Sequence, residues 1–134
     1  VDTITGTWGG TYSYPSDWRM EPCDFTARLI QTGSSFFGSM TETVSDDVAF
    51  LTDQGAFVEG SRHGSSISFV KTYDGSGDWS HSVMYEGHLS DDGNEIAGIW
   101  TIIEDGHRAS SGFVMTRRKR AALEEQMVEV VKSA

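Results

Sequence analysis

Apolar and polar residues alternate along most of this chain with a period of two, in short runs separated by turn chemistry. Such spacing places alternate side chains on opposite faces of a sheet. The pattern predicts strands over Gly6–Tyr14, Phe25–Gln31, Phe36–Glu42, Phe57–Arg62, Ile67–Tyr73, His81–His88, Glu95–Ile103 and Ser111–Arg117. Trp8, Tyr12 and Tyr14 share one face of the first. Ile67, Phe69, Lys71 and Tyr73 share a face of the fifth, His81, Val83, Tyr85 and Gly87 of the sixth, and Ile96, Gly98, Trp100 and Ile102 of the seventh. The breaks carry Gly33-Ser34, His63-Gly64, Asp74-Gly75-Ser76-Gly77, Asp91-Asp92-Gly93-Asn94 and Asp105-Gly106, where glycine supplies positive φ and Asp or Asn bonds nearby backbone.

About eight short strands with tight turns imply an up-and-down antiparallel meander, and a meander of that length closes to remove its edges. The expected fold is therefore an all-β, eight-stranded barrel over residues 1–117. Residues 118–134 read as a C-terminal amphipathic α-helix, with Leu123, Met127, Val130 and Val131 at helical spacing, packed on the barrel or on a partner subunit. Two longer connections, Pro15–Asp24 with Trp18, Met20 and Cys23, and Val44–Gly55 with Asp46, Asp47 and Phe50, are candidate binding loops. The glycines Gly38, Gly60, Gly87, Gly98 and Gly112 fall inside strands, where they mark bends that let a small barrel close.

Composition narrows the function classes. A net charge of −10 argues against nucleic acid, which needs a basic face, and against an anionic membrane surface. No apolar run approaches the roughly 20 residues of a spanning helix. The single cysteine, Cys23, forms no intrachain disulfide, which favours a cytoplasmic location. The chain starts at Val1 rather than Met, so a trimmed leader and export stay open. His81 and His88 lie seven apart in one strand and face opposite sides, while His63 and His107 fall in turns, so no metal is expected. No phosphate loop, dinucleotide fingerprint or nucleophile motif is present, and no cofactor is expected.

Gly6-Thr7-Trp8 opening the first strand, with Arg117 and Arg118 at the end of the last, resembles the calycin signature. The resemblance implies a closed base on which an arginine covers the tryptophan ring. Ile4-Thr5-Gly6-Thr7-Trp8, Tyr85-Glu86-Gly87, Ile96 and Trp100-Thr101-Ile102 are similar to avidin-like barrels. The avidin resemblance implies polar biotin partners at positions that here hold Gly10, Met40, His81 and Val83, so no tight biotin binding is expected. The runs Ile67-x-Phe69-x-Lys71-x-Tyr73, Tyr85-x-Gly87, Ile96-x-Gly98-x-Trp100 and Gly112-Phe113 also resemble uncharacterised bacterial lipocalin-like domains.

If Phe69, Tyr85 and Trp100 face inward, alternation brings Lys71, Tyr73 and His81 in with them. The opposite orientation puts Val70 and Met84 in the core. The inward reading gives a pocket opposite Trp8 for a small hydrophobic or aromatic ligand, walled by Tyr12, Phe69, Tyr73, Tyr85 and Trp100, with Lys71 and His81 placed to fix an anionic or carbonyl group where the ligand carries one. The first alternative is a cofactor-independent enzyme (a lyase, isomerase or cyclase) using His81, Tyr85 or Glu86 as acid or base. The second is an interaction module that dimerises through its C-terminal helix.

Overall fold

The computed structural model describes residues 3–43, 54–75 and 81–118. Eight antiparallel strands form one closed barrel: β1 Gly6–Tyr12, β2 Cys23–Thr32, β3 Ser35–Thr43, β4 Gln54–His63, β5 Ser66–Tyr73, β6 Ser82–Leu89, β7 Glu95–Glu104 and β8 His107–Arg117. Each strand pairs with its neighbours in sequence, and β8 returns to β1 with Gly10 opposite Met115 and Tyr12 opposite Phe113. All eight expected strands are present, in up-and-down order. The expected helix lies outside the described residues, as do most of the Val44–Gly55 connection and part of the Asp74–Gly77 turn.

Boundaries differ from the sequence reading where local chemistry overrides alternation. β1 stops at Tyr12, and Pro15, which has no N–H for a ladder, leads into a short 3₁₀ turn over Ser16–Trp18. β8 begins at His107 rather than Ser111. Asp105 (φ 51°) and Gly106 (φ 78°) make a tight left-handed hairpin turn, which carries the polar run Arg108–Ser110 into register with Ile103, Ile102 and Thr101.

The inward faces form one core. Ile4, Trp8, Leu29, Ile67, Ile96 and Met115 occupy the base, and Phe36, Phe69, Tyr85 and Phe113 form a ring cluster above them. Phe69 and Tyr85 stack with centroids 4.6 Å apart and planes 8° from parallel, and Phe113 meets Tyr85 edge-on at 5.0 Å. Val70 and Met84 lie on the outside, so the inward orientation of β5 and β6 is the one observed.

The base is tied by Arg117. Its guanidinium lies 4.6 Å from the Trp8 ring and donates to the carbonyls of Thr5 (2.9 Å), Thr3 (2.8 Å) and Gly93 (3.1 Å). The Trp8 indole in turn donates to the Ile4 carbonyl at 3.0 Å. Arg118, expected as an equal candidate for this role, points the other way because successive strand residues face opposite sides. It lies beside Gly9 and donates to Thr26 Oγ1 at 3.2 Å.

Closure also needs backbone to pass where a side chain would sit. A Cβ on Gly98 would fall 1.9 Å from the Glu86 carbonyl oxygen, and one on Gly38 would fall 1.8 Å from that of Arg28. On Gly112 the nearest atom would be 3.8 Å away. Gly98→Ala is therefore expected to lower stability by about 1–3 kcal/mol. Gly112→Ala should stay within about 0.5 kcal/mol of the parent. Urea unfolding of the two variants side by side measures both.

Candidate functional site at the open end

Strand direction decides which residues meet at the end opposite Trp8. β1, β3, β5 and β7 run toward that end, so the last inward positions of the first three, Tyr12, Glu42 and Lys71 with Tyr73, converge there. Lys71 is 1% exposed and Glu42 is 2% exposed. An ammonium buried so completely needs a counter-charge and hydrogen bonds. Lys71 Nζ donates to Glu42 Oε1 in a short contact and to the Tyr73 hydroxyl at 2.9 Å. It also lies over the Tyr73 ring at 4.6 Å and the Tyr12 ring at 4.7 Å.

The carboxylate is equally engaged. Tyr12 donates to Glu42 Oε2 at 2.9 Å, and Tyr73 lies 2.9 Å from both carboxylate oxygens. Tyr14 extends the network outward by donating to the Tyr12 oxygen at 3.3 Å. A carboxylate accepts only, so every proton in the chain points toward Glu42.

Beyond this cluster an aromatic cleft of about 730 Å³ opens at the barrel mouth. Tyr14, Trp18, Met20, Ile102 and Ala109 give it apolar walls, and His81, Glu104, Asp105, His107 and Arg108 give it a polar rim. Trp100 stands at the junction. Its indole donates to the Ser13 carbonyl at 2.7 Å, and its ring meets Tyr12, Tyr14 and Trp18 at 6.2–6.4 Å. Trp18, 42% exposed on the 3₁₀ turn, leans over Tyr14 at 5.9 Å.

Burial sets the protonation of the site. It raises the hydroxyls of Tyr12, Tyr73 and Tyr85 far above the ordinary phenol value, with the Glu42 charge adding to the effect, and pushes Tyr14 up to about 12. Burial lowers Lys71, against the opposing attraction of Glu42. It also lowers His81, which leaves that imidazole neutral at neutral pH. The half-buried Cys23 thiol is raised for the same reason, so it is not an activated nucleophile.

The residues expected at the pocket separate into three places. Tyr12, Lys71 and Tyr73 form the buried polar cluster. Trp100 and His81 stand at the mouth, with His81 edge-on to the Tyr73 ring at 5.1 Å. Phe69 and Tyr85 belong instead to the ring cluster of the core, their faces covered by each other and their edges by Phe36 and Phe113. Glu86, an acid–base candidate if inward, is exposed on the outer face, where it lines a shallow groove with Ser66, Ser68 and His88. Alternation requires this once Tyr85 points in.

Sequence reasoning missed Glu42, the centre of the cluster. The signal was there: Phe36, Met40 and Glu42 share one face by parity, and an inward lysine demands an inward carboxylate. The cleft walls Ile102 and Ala109 were also missed as site residues, Ala109 because it precedes Ser111, where the last strand is expected to begin, although β8 starts at His107. No protein-family model and no curated protein matches this chain. The class of molecule thus rests on the fold itself, a closed eight-stranded antiparallel barrel. Among the described residues no helix is long and apolar enough to cross a membrane.

Two predictions follow from the cluster's electrostatics. Glu42→Leu strands the Lys71 ammonium in the barrel and should cost about 3–5 kcal/mol, whereas the double variant E42L/K71M removes both charges and should recover most of that loss, as read by urea unfolding. The alkaline limb is set by the phenols. All four tyrosines of the chain hold their protons in the folded state above the ordinary value of 10.0, so unfolding releases protons. Their contribution is complete below pH 10 and is lost as pH rises beyond it. The lowered Lys71 acts with the opposite sign up to 10.5, but it is one group against four. Between pH 10 and 12 the folded chain should show far less tyrosinate absorbance than the urea-unfolded chain, and its urea midpoint should fall steeply.

Proposed function

We propose that this chain is a small-molecule-binding barrel of the calycin type, whose ligand sits in the aromatic cleft at the open end. The observation that carries the proposal is the cleft itself. Its volume of about 730 Å³ lies within the range of ligand pockets, and its walls are aromatic and aliphatic with a polar rim. The Trp8–Arg117 stack at the opposite end supports the calycin reading, since it is the closed base that the signature implies.

The surroundings of Lys71 bear on the proposed ligand's chemistry. Lys71 was a candidate anchor for an anionic group, but its ammonium is engaged by Glu42 and Tyr73 beneath the cleft. A ligand held between Trp18, Tyr14 and Ala109 is a flat hydrophobic or aromatic body without a required negative charge. Biotin does not fit this description. Gly10 offers no side chain, and the Phe25 ring fills the space beside it, within 2.4 Å of where a Cβ would lie. Met40 adds only an apolar surface, so the ureido group would lose its polar partners.

A neutral fluorescent aromatic, N-phenyl-1-naphthylamine, should bind with a fluorescence increase. Ala109→Trp should fill the cleft and weaken that binding at least about tenfold, while leaving the urea midpoint close to the parent's. Unaltered binding to that variant would move the ligand elsewhere and overturn the proposal.

A further inference from the structure

The hydrogen bonds that lead from the cleft to Glu42 have a fixed direction. Glu42 accepts from Lys71, Tyr73 and Tyr12, and a hydroxyl has only one proton to give. Tyr12 uses its proton on Glu42, so its oxygen is left to accept, and Tyr14 donates to it at 3.3 Å. The last oxygen in the line is that of Tyr14, a residue of the cleft wall. With its proton committed inward, that oxygen has only lone pairs left to offer.

The remaining charges reinforce this polarity. On the rim, Glu104 and Asp105 set two carboxylates against the one guanidinium of Arg108, which disfavours an anion. Trp100, at the junction, spends its N–H on the Ser13 carbonyl.

We infer that the ligand of the cleft carries a neutral hydrogen-bond donor, an O–H or N–H group on a flat apolar body, and that Tyr14 accepts this bond. The inference rests on the reading of the cleft as the ligand seat and deepens it. A ligand that offers only an acceptor sets lone pair against lone pair and leaves the Tyr14 oxygen without the donor that solvent would supply in its place. A ligand with a donor replaces that water bond.

A matched pair of probes tests this: 2-naphthol has the donor, and 2-methoxynaphthalene has the same rings without it. Calorimetric titration should find 2-naphthol bound about tenfold more tightly. In Tyr14→Phe the ratio should fall close to one, mainly through weaker naphthol binding. Equal binding of both probes to the unaltered protein, abolished for both by Ala109→Trp, would overturn the donor rule and leave the cleft reading standing. A donor preference that survives in Tyr14→Phe would overturn the role of Tyr14. Binding of neither probe would overturn both readings. The comparison of probes on the unaltered protein needs no variant, so a poorly folding Tyr14→Phe cannot mask the result.

Discussion

A lysine ammonium inside a small barrel is tolerable only when its charge and its protons are met, and the upper half of this molecule is arranged around that constraint. Lys71 requires Glu42, and Glu42, with two oxygens to satisfy, requires Tyr12 and Tyr73. These groups come from β1, β3 and β5, so meeting one charge cross-braces strands that are not neighbours in the sheet. The base is held by a different cation with different needs. Arg117 spreads its charge over a planar guanidinium and is served by backbone carbonyls and the Trp8 face, with no carboxylate partner among the described residues. Each end of the barrel is thus closed around one cation, and the chemistry of each cation decides what surrounds it.

Between these two ties the aromatic residues divide into two populations. Phe36, Phe69, Tyr85 and Phe113 pack against each other and fill the middle of the barrel. Tyr14 and Trp18 line the cleft and are only partly covered, with the buried Trp100 ring packed against both. The same residue type therefore serves as core in one layer and as a cleft wall in the next, and its height along the barrel axis separates the two uses.

That height is what the sequence left unread. Period-two alternation was enough to assign every strand and to place Lys71 and Tyr73 inside, and the Gly6-Thr7-Trp8 opening pointed to a stacked arginine at the base. Alternation says which face a residue takes but not which layer it joins, so Phe69 and Tyr85 were grouped with Trp100 although they lie below the ion pair. Register across the sheet resolves this only in part, because it pairs Tyr85 with Trp100, and the contacts of Trp100 with Tyr14 and Trp18 are what set it apart. The β5–β6 pairing sets Phe69 opposite Tyr85 and Lys71 opposite Val83, one layer nearer the mouth. Glu42 escaped notice for a related reason. It lies near the end of its strand beside a long connection, where a carboxylate reads as a solvated end, although parity with Phe36 and Met40 and the charge balance of a closed interior both turn it inward. Arg118 was separable from Arg117 by parity alone, once the strand was known to continue through residue 117.

A hydrogen-bonded ion pair makes an unusual floor for a cleft. A free buried charge would attract a counter-ion and rearrange to meet it, whereas an ammonium that donates to Glu42 and Tyr73 and lies over two phenol rings has little reason to move. Its cost is met on folding and not again on binding, so a ligand in the cleft meets a rigid surface. The charge is still felt through the phenols it orients. Glu42 fixes the proton of Tyr12, and Tyr12 fixes that of Tyr14, so a buried carboxylate sets the hydrogen-bonding character of a wall it does not touch. On the proposed reading, selectivity at the mouth comes from the direction of a hydrogen bond, while the charge that imposes the direction stays sealed within the barrel.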